Sequence, residues 1–190
     1  MIKKLALFVL PLLLMASVAI GQDTAAEEGT KVEKNPIVQI QTNQGDIYLE
    51  VFLNETPIHA ANFLSKVDAG SYDSLTFHRI VKGFVNQGGD PTGTGSGSMG
   101  SDRLADEKSP FPQARGTVAM ARSGAGASNC QFYINIKDNS FLDKQKFSSF
   151  AKVLKGMDNV DKMNQLPSTN DKPNEPVIMT KLQRVEAVPE

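Results

Sequence analysis

Short segments in which apolar and polar residues alternate recur along this chain, and only two stretches carry the 3.6-residue period of a helix. Ile37–Thr42 and residues 46–52 alternate on either side of Asn43, Gln44 and Gly45, which reads as a hairpin with one buried face. Residues 75–85, 117–122, 131–136, 149–154 and 177–185 read as further strands, with residues 123–129 a flexible connection. The first helical stretch opens on Thr56 and Pro57, an N-cap followed by a proline at the first helical position. It carries Ile58, Ala61, Leu64 and Val67 on one stripe and stops near Gly70. The second is expected over Met157–Asn164, with Val160 and Met163 on its apolar side and Asp158 near its N-terminus. Many short strands with so few helices predict an all-β barrel rather than a parallel α/β sheet.

A length of 190 residues suits one domain, and a formal net charge of -1 gives no electrostatic case for nucleic acid. The single cysteine, Cys130, excludes an internal disulfide and reads as a small packed residue, because no neighbouring base supports a thiolate. Two histidines, His59 and His78, are too few to argue for a metal site, and no cofactor is expected. His59 is expected to be partly exposed on the first helix, and His78 to be a barrel histidine held by hydrogen bonds. Gly95, Gly97 and Gly100 match the spacing of a dinucleotide fingerprint. They fall in residues 88–102, a glycine- and serine-rich stretch with no helix after it, which reads as a flexible surface loop.

At the N-terminus, Lys3 and Lys4 precede an apolar run from Leu5 to Ile20, and small residues follow, the pattern of a secretory signal peptide over residues 1–21. Ala19 and Gly21 flank a cut that leaves Gln22 first; Ser17 and Ala19 offer a second. An uncleaved membrane anchor is the alternative reading of the same run. Residues 22–35 form a polar tether, and the domain occupies residues 36–190. The protein is expected to be exported: periplasmic in a cell with an outer membrane, otherwise secreted or at the cell surface. No membrane association is expected after cleavage.

Phe77, His78, Arg79 and Ile80, then Gly83 and Phe84, then Gln87, Gly88, Gly89 and Asp90 set one arginine and one glutamine among apolar residues. On a single strand, Arg79 and Gln87 lie an even number of positions apart and share a face. A second block runs from Gly116 through Met120, Ala121 and Arg122 to Gln131, Phe132 and Tyr133. The two blocks, in this order, resemble the cyclophilins, peptidyl-prolyl cis-trans isomerases, and the resemblance runs from about Ile37 to about Val185.

That resemblance implies a closed eight-stranded antiparallel barrel capped by two α-helices. It implies that Arg79 is catalytic, with Phe84 and the carbonyl-binding Gln87 beside it. Val85, Tyr133 and Leu142 then complete a proline pocket, and Met120, Ala121, Arg122, Ser123 and Gln131 form the adjoining peptide groove. Phe141 stands where a tryptophan contributes to cyclosporin binding in the family, so weak cyclosporin binding is expected. Phe147 falls where histidine or tyrosine is common, beside a one-residue insertion within residues 144–149. Val85 replaces the usual methionine and Tyr133 the usual phenylalanine, and a buried tyrosine hydroxyl needs a partner.

The implied activity is rotation about X-Pro bonds in unfolded or partly folded exported proteins; a monomer is expected, because no zipper or extra interaction domain is visible in the sequence. Amide resonance opposes that rotation by ~18–20 kcal/mol. A guanidinium that donates to the prolyl nitrogen favours the twisted amide, whose lone pair is localised, over the planar ground state. A peptide-binding chaperone module without turnover is the alternative of a different class; Arg79 and Gln87 argue against it. A hydrolase is disfavoured because no nucleophile, base and orienting acid come together in the sequence.

Overall fold

The computed structural model describes residues 34–190; the expected signal peptide, residues 1–21, and residues 22–33 of the expected tether lie outside them. An eight-stranded antiparallel sheet in the order β10-β1-β2-β7-β5-β6-β4-β3 curls around the main core. Its strands are β1 (Ile37–Thr42), β2 (Ile47–Val51), β3 (Arg79–Val81), β4 (Val85–Gly88), β5 (Thr117–Ser123), β6 (Gly126–Asn135), β7 (Ser149–Lys155) and β10 (Met179–Val185). Two short strands, β8 (Ser168–Thr169) and β9 (Lys172–Pro173), pair separately. The barrel is open rather than closed. Its edges, β10 and β3, share no ladder; the chain just before β3 meets the chain around the start of β10 through the Thr76–Ile178 bridge, with Phe77 N donating to Val177 O at 2.9 Å, Met179 N to Leu75 O at 2.8 Å and Ser74 N to Met179 O at 2.8 Å.

The first helix, α1 (Pro57–Asp68), buries Ala60, Phe63, Leu64 and Val67 together with His59, while Ile58 and Ala61 face solvent. The expected stripe was therefore displaced, and His59 is interior, with Nε2 at 3.1 Å from Ala105 O. Thr56 does not cap the helix. Its hydroxyl donates back to Phe52 O at 2.9 Å, and the Glu107 carboxylate takes the Ile58 and His59 amides at 2.8 and 2.9 Å. The helix ends in a Schellman arrangement in which Ser71 N donates to Lys66 O and Gly70 N to Val67 O, with Gly70 at a φ of 64° that a side chain would strain. The second helix, α2 (Met157–Asn164), buries Val160, Met163 and Asn164.

Three features along the functional edge depart from the sequence reading. Residues 75–85 do not form one strand: β3 and β4 are the arms of a hairpin turning through Lys82, Gly83 and Phe84, with Gly83 at φ 65°. Residues 126–129 belong to β6 rather than to a flexible connection. The loop of residues 88–102 is tied down along its length. Asp90, almost wholly buried, accepts from Thr92 N, Gly95 N and Gly97 N, while Asn129 donates to Met99 O and Asp102 O.

Phe63, Phe77, Phe132 and Phe150 are fully buried in the main core, each contributing about 1.5–3 kcal/mol of burial. Asn164 of α2 secures the hairpin from inside: its Oδ1 accepts from Gly83 N at 2.8 Å, and its Nδ2 donates to Val81 O and Asn86 Oδ1 at 3.0 and 2.7 Å. Glu107→Ala should cost about 1 kcal/mol by removing the α1 cap. Thermal denaturation should show this as a Tm lowered by roughly 2–4 °C; an unchanged Tm would mean that the cap is dispensable.

Candidate active site

The site is a row of side chains in register across four strands, on the face of the sheet turned away from the main core. Ala119 of β5 is paired with Tyr133 of β6, Tyr133 with Gln87 of β4, and Gln87 with Arg79 of β3. Arg79 and Gln87 thus share a face because they are cross-strand partners, not because they lie along one strand. Val85 and Ala121, two residues from members of the row, face the same way. With Tyr133, Leu142 and Ala119 they form a second apolar cluster, against which Phe84 and Phe147 pack.

Arg79, Phe84, Val85, Gln87, Ala121, Arg122, Tyr133, Leu142 and Phe147 line one recess of about 140 Å³. Gln131 stands beside it, while three other expected site residues lie elsewhere. Met120 is 1% exposed in the main core, because alternation along β5 turns it opposite to Ala119 and Ala121. Ser123 is exposed at the strand end, its hydroxyl accepting from Ala125 N at 3.3 Å. Phe141 is 52% exposed and stacks on Phe84 at a centroid distance of 5.9 Å rather than lining the recess. It belongs with Leu142 to a short 3₁₀ helix, Ser140–Gln145, that was not anticipated.

A hydrogen-bonded chain restrains the arginine. Arg79 Nη1 donates to Gln87 Oε1 at 3.3 Å, and Gln87 Nε2 donates to Gln131 Oε1 at 2.9 Å. Gln131 Nε2 reaches Gly97 O at 2.9 Å and Gly95 O at 3.1 Å. On the other side Arg79 Nη2 meets Asp171 Oδ2 at 3.4 Å. Asp171, missed in the sequence, lies at φ 64° in the β8–β9 turn, and its carbonyl accepts from Ile80 N at 2.6 Å. An acid two residues beyond a serine and threonine gave no signal of this contact, which depends on how a distant hairpin folds back.

Arg122 is ion-paired to Asp106, which also holds Lys146 at 3.0 Å. The Tyr133 hydroxyl has its partner in buried Gln113, donating to Oε1 at 2.9 Å, and burial raises its pKa well above the ordinary phenol value. His78 is 8% exposed, and neither ring nitrogen has a hydrogen-bond partner among the described residues, contrary to expectation. Burial lowers its pKa; the Asp90 charge and the nearby Thr76 backbone oppose this, and Arg79 adds to it.

The arrangement sets a restrained guanidinium at the rim of a small apolar recess on the outer face of an open β barrel, with no serine, threonine or cysteine among the residues that line it. The family model for cyclophilin type peptidyl-prolyl cis-trans isomerases matches residues 37–184. The chain is 38% identical over 144 residues to "Peptidyl-prolyl cis-trans isomerase-like 3" of Mus musculus, covering 74% of this chain and 88% of that protein. It is 36% identical over 157 residues to "Peptidyl-prolyl cis-trans isomerase-like 1" of Neurospora crassa, covering 80% and 94%. A crystal structure of a Cryptosporidium parvum cyclophilin type isomerase aligns with a TM-score of 0.74 at 30% identity, over 81% of this chain and 99% of that one. A second crystal structure, in the presence of the dipeptide Ala-Pro, aligns at 0.72 over 80% and 99%. The chain belongs to the cyclophilin family and is a peptidyl-prolyl cis-trans isomerase of that type.

Burial raises the Asp90 pKa, but the amide and hydroxyl donors of Gly97, Thr92 and Gly95 outweigh this and hold it below the ordinary carboxylate range. A carboxyl depressed in the folded state stabilises fully above its unfolded pKa, and that contribution disappears as pH falls through the folded value. Urea denaturation should therefore show Asp90→Asn less stable than wild type at neutral pH, with the gap narrowing below about pH 4. A gap independent of pH would rule out this linkage.

Proposed function

We propose that the recess receives the proline ring of an X-Pro segment, and that Arg79 donates to the prolyl nitrogen as the amide twists. Phe84, Val85, Tyr133 and Leu142 hold the ring while the rest of the peptide turns. One Gln87 amide hydrogen engages Gln131, leaving the other for a substrate carbonyl. No covalent bond forms or breaks. The guanidinium gains more from the localised lone pair of the twisted amide than from the planar ground state, so it stabilises the transition state selectively. Partial exclusion of water by Phe84 and Phe147 also favours rotation, because water stabilises the charge-separated planar amide.

The observation that carries this reading is the restraint of Arg79 on two sides, at 3.3 Å from Gln87 and 3.4 Å from Asp171, at the edge of an apolar recess of proline-ring scale. Similarity to an isomerase crystallised with Ala-Pro supports proline-containing peptides as ligands. Exported, unfolded or partly folded polypeptides are the proposed clients, a reading supported by the charged and apolar pattern of residues 1–21. Prolyl isomerisation takes tens of seconds uncatalysed and can limit folding after export.

NMR exchange spectroscopy on an Ala-Pro peptide tests the mechanism without a coupled protease. Arg79→Ala, folded by near-UV circular dichroism, should lose about 10²–10³ in kcat/KM; activity equal to wild type would remove Arg79 from the mechanism. Export is tested separately by N-terminal sequencing of the protein from fractionated cells. A mature chain beginning at Gln22 or Gln22's near neighbours in the envelope fraction is expected, and an intact Met1 in the cytoplasm would refute export.

A further inference from the structure

A larger groove, about 640 Å³, adjoins the proline recess, and Phe147 belongs to the walls of both. One wall is stiff: Pro110 and Pro112 flank Phe111, whose ring stacks on Phe52 at 3.8 Å. Asp143, Lys144 and Lys146, at the end of the 3₁₀ helix, line the same groove. The Arg122–Asp106–Lys146 ion-pair chain crosses the boundary, since Arg122 lines the recess and the other two line the groove. A peptide leaving the recess over Phe147 therefore enters a preformed channel.

The charges in that channel are not balanced in availability. Asp106 is held through both oxygens by Arg122 and Lys146, and Glu107 through both by the Ile58 and His59 amides, while Asp143 is held through Oδ1 by the Gln113 amide at 2.9 Å. The side chains of Lys108 and Lys144 are exposed and have no hydrogen bond or ion pair with any described residue. Two lysines against one half-engaged carboxylate leave the charge open to a ligand predominantly positive. We propose that this groove extends the peptide site and selects substrates with an acidic side chain a few residues from the proline, met by Lys108 and Lys144. The inference rests on the proline reading of the recess.

The test is a panel of Ala-Pro peptides in which Glu, Gln or Lys is scanned through about four positions on either side of the proline, roughly 13–14 Å of extended chain. With the wild-type protein, kcat/KM for Glu at the productive position should exceed that for Gln by about three- to ten-fold, the scale of one or two exposed ion pairs. The gain should reside in KM and shrink with added salt. Combined Lys108→Glu and Lys144→Glu should abolish the preference and leave the Gln peptide unchanged. Equal rates for Glu, Gln and Lys peptides at every position, or a preference that survives the charge reversal, would overturn the proposal. If no peptide were turned over, the proline reading itself would fall. Chemical-shift titration with the Glu and Gln peptides would then still decide the groove: tighter Glu binding lost on charge reversal supports it, and equal binding overturns it.

Discussion

Cross-strand register is the constraint on which the site depends. Ala119, Tyr133, Gln87 and Arg79 come from β5, β6, β4 and β3, and pairing sets them in one row on one face. Side chains alternate along a strand, so a slip of one residue in any pair would turn part of the row into the barrel interior and bring core residues out. The inner face resists such a slip, because Val118, Met120, Phe132, Ile134 and Ile80 are buried in the main core. Core packing therefore positions a site that lies wholly outside the core.

The parts of the site not on the sheet are held by polar contacts that reach across the chain. Asn164 of α2 grips the hairpin at Gly83 and Val81, which fixes the turn carrying Phe84. Asp90 gathers the amides of the following loop, and that loop presents Gly95 O and Gly97 O to Gln131. Gln131 then orients Gln87, and Gln87 orients Arg79. Buried groups of this kind are costly when unpaired, so each contact restricts the geometry of the next. The 3₁₀ helix contributes Leu142 to the recess and Phe141 to a stack on Phe84.

Much of the fold was legible because its signals are local. Alternation marked most strands, and Val160 with Met163 marked α2 with its observed bounds, Met157–Asn164. Errors arose where a local pattern had two solutions. Residues 75–85 alternate well enough for one strand, yet Gly83 permits the turn that makes two. Thr56 offers a capping hydroxyl, but the Glu107 carboxylate, brought in from 51 positions away in the chain's count of Thr56 to Glu107, takes the helix amides instead. Met120 lies within the motif, but its parity along β5 opposes that of Ala119 and Ala121 and turns it into the main core.

The strand-rich architecture, the two helices and the motif residues that line the recess were readable along the chain, because periodicity, turn chemistry and motif content lie within a few residues of one another. Only the folded chain shows that the sheet stays open, that Asp171 and Gln87 both restrain Arg79, that Gln113 receives the Tyr133 hydroxyl, and that Phe147 joins two recesses. Those contacts join groups far apart in the chain. Their partners are chosen by strand register and by the need to pair buried polar atoms, neither of which a linear pattern carries.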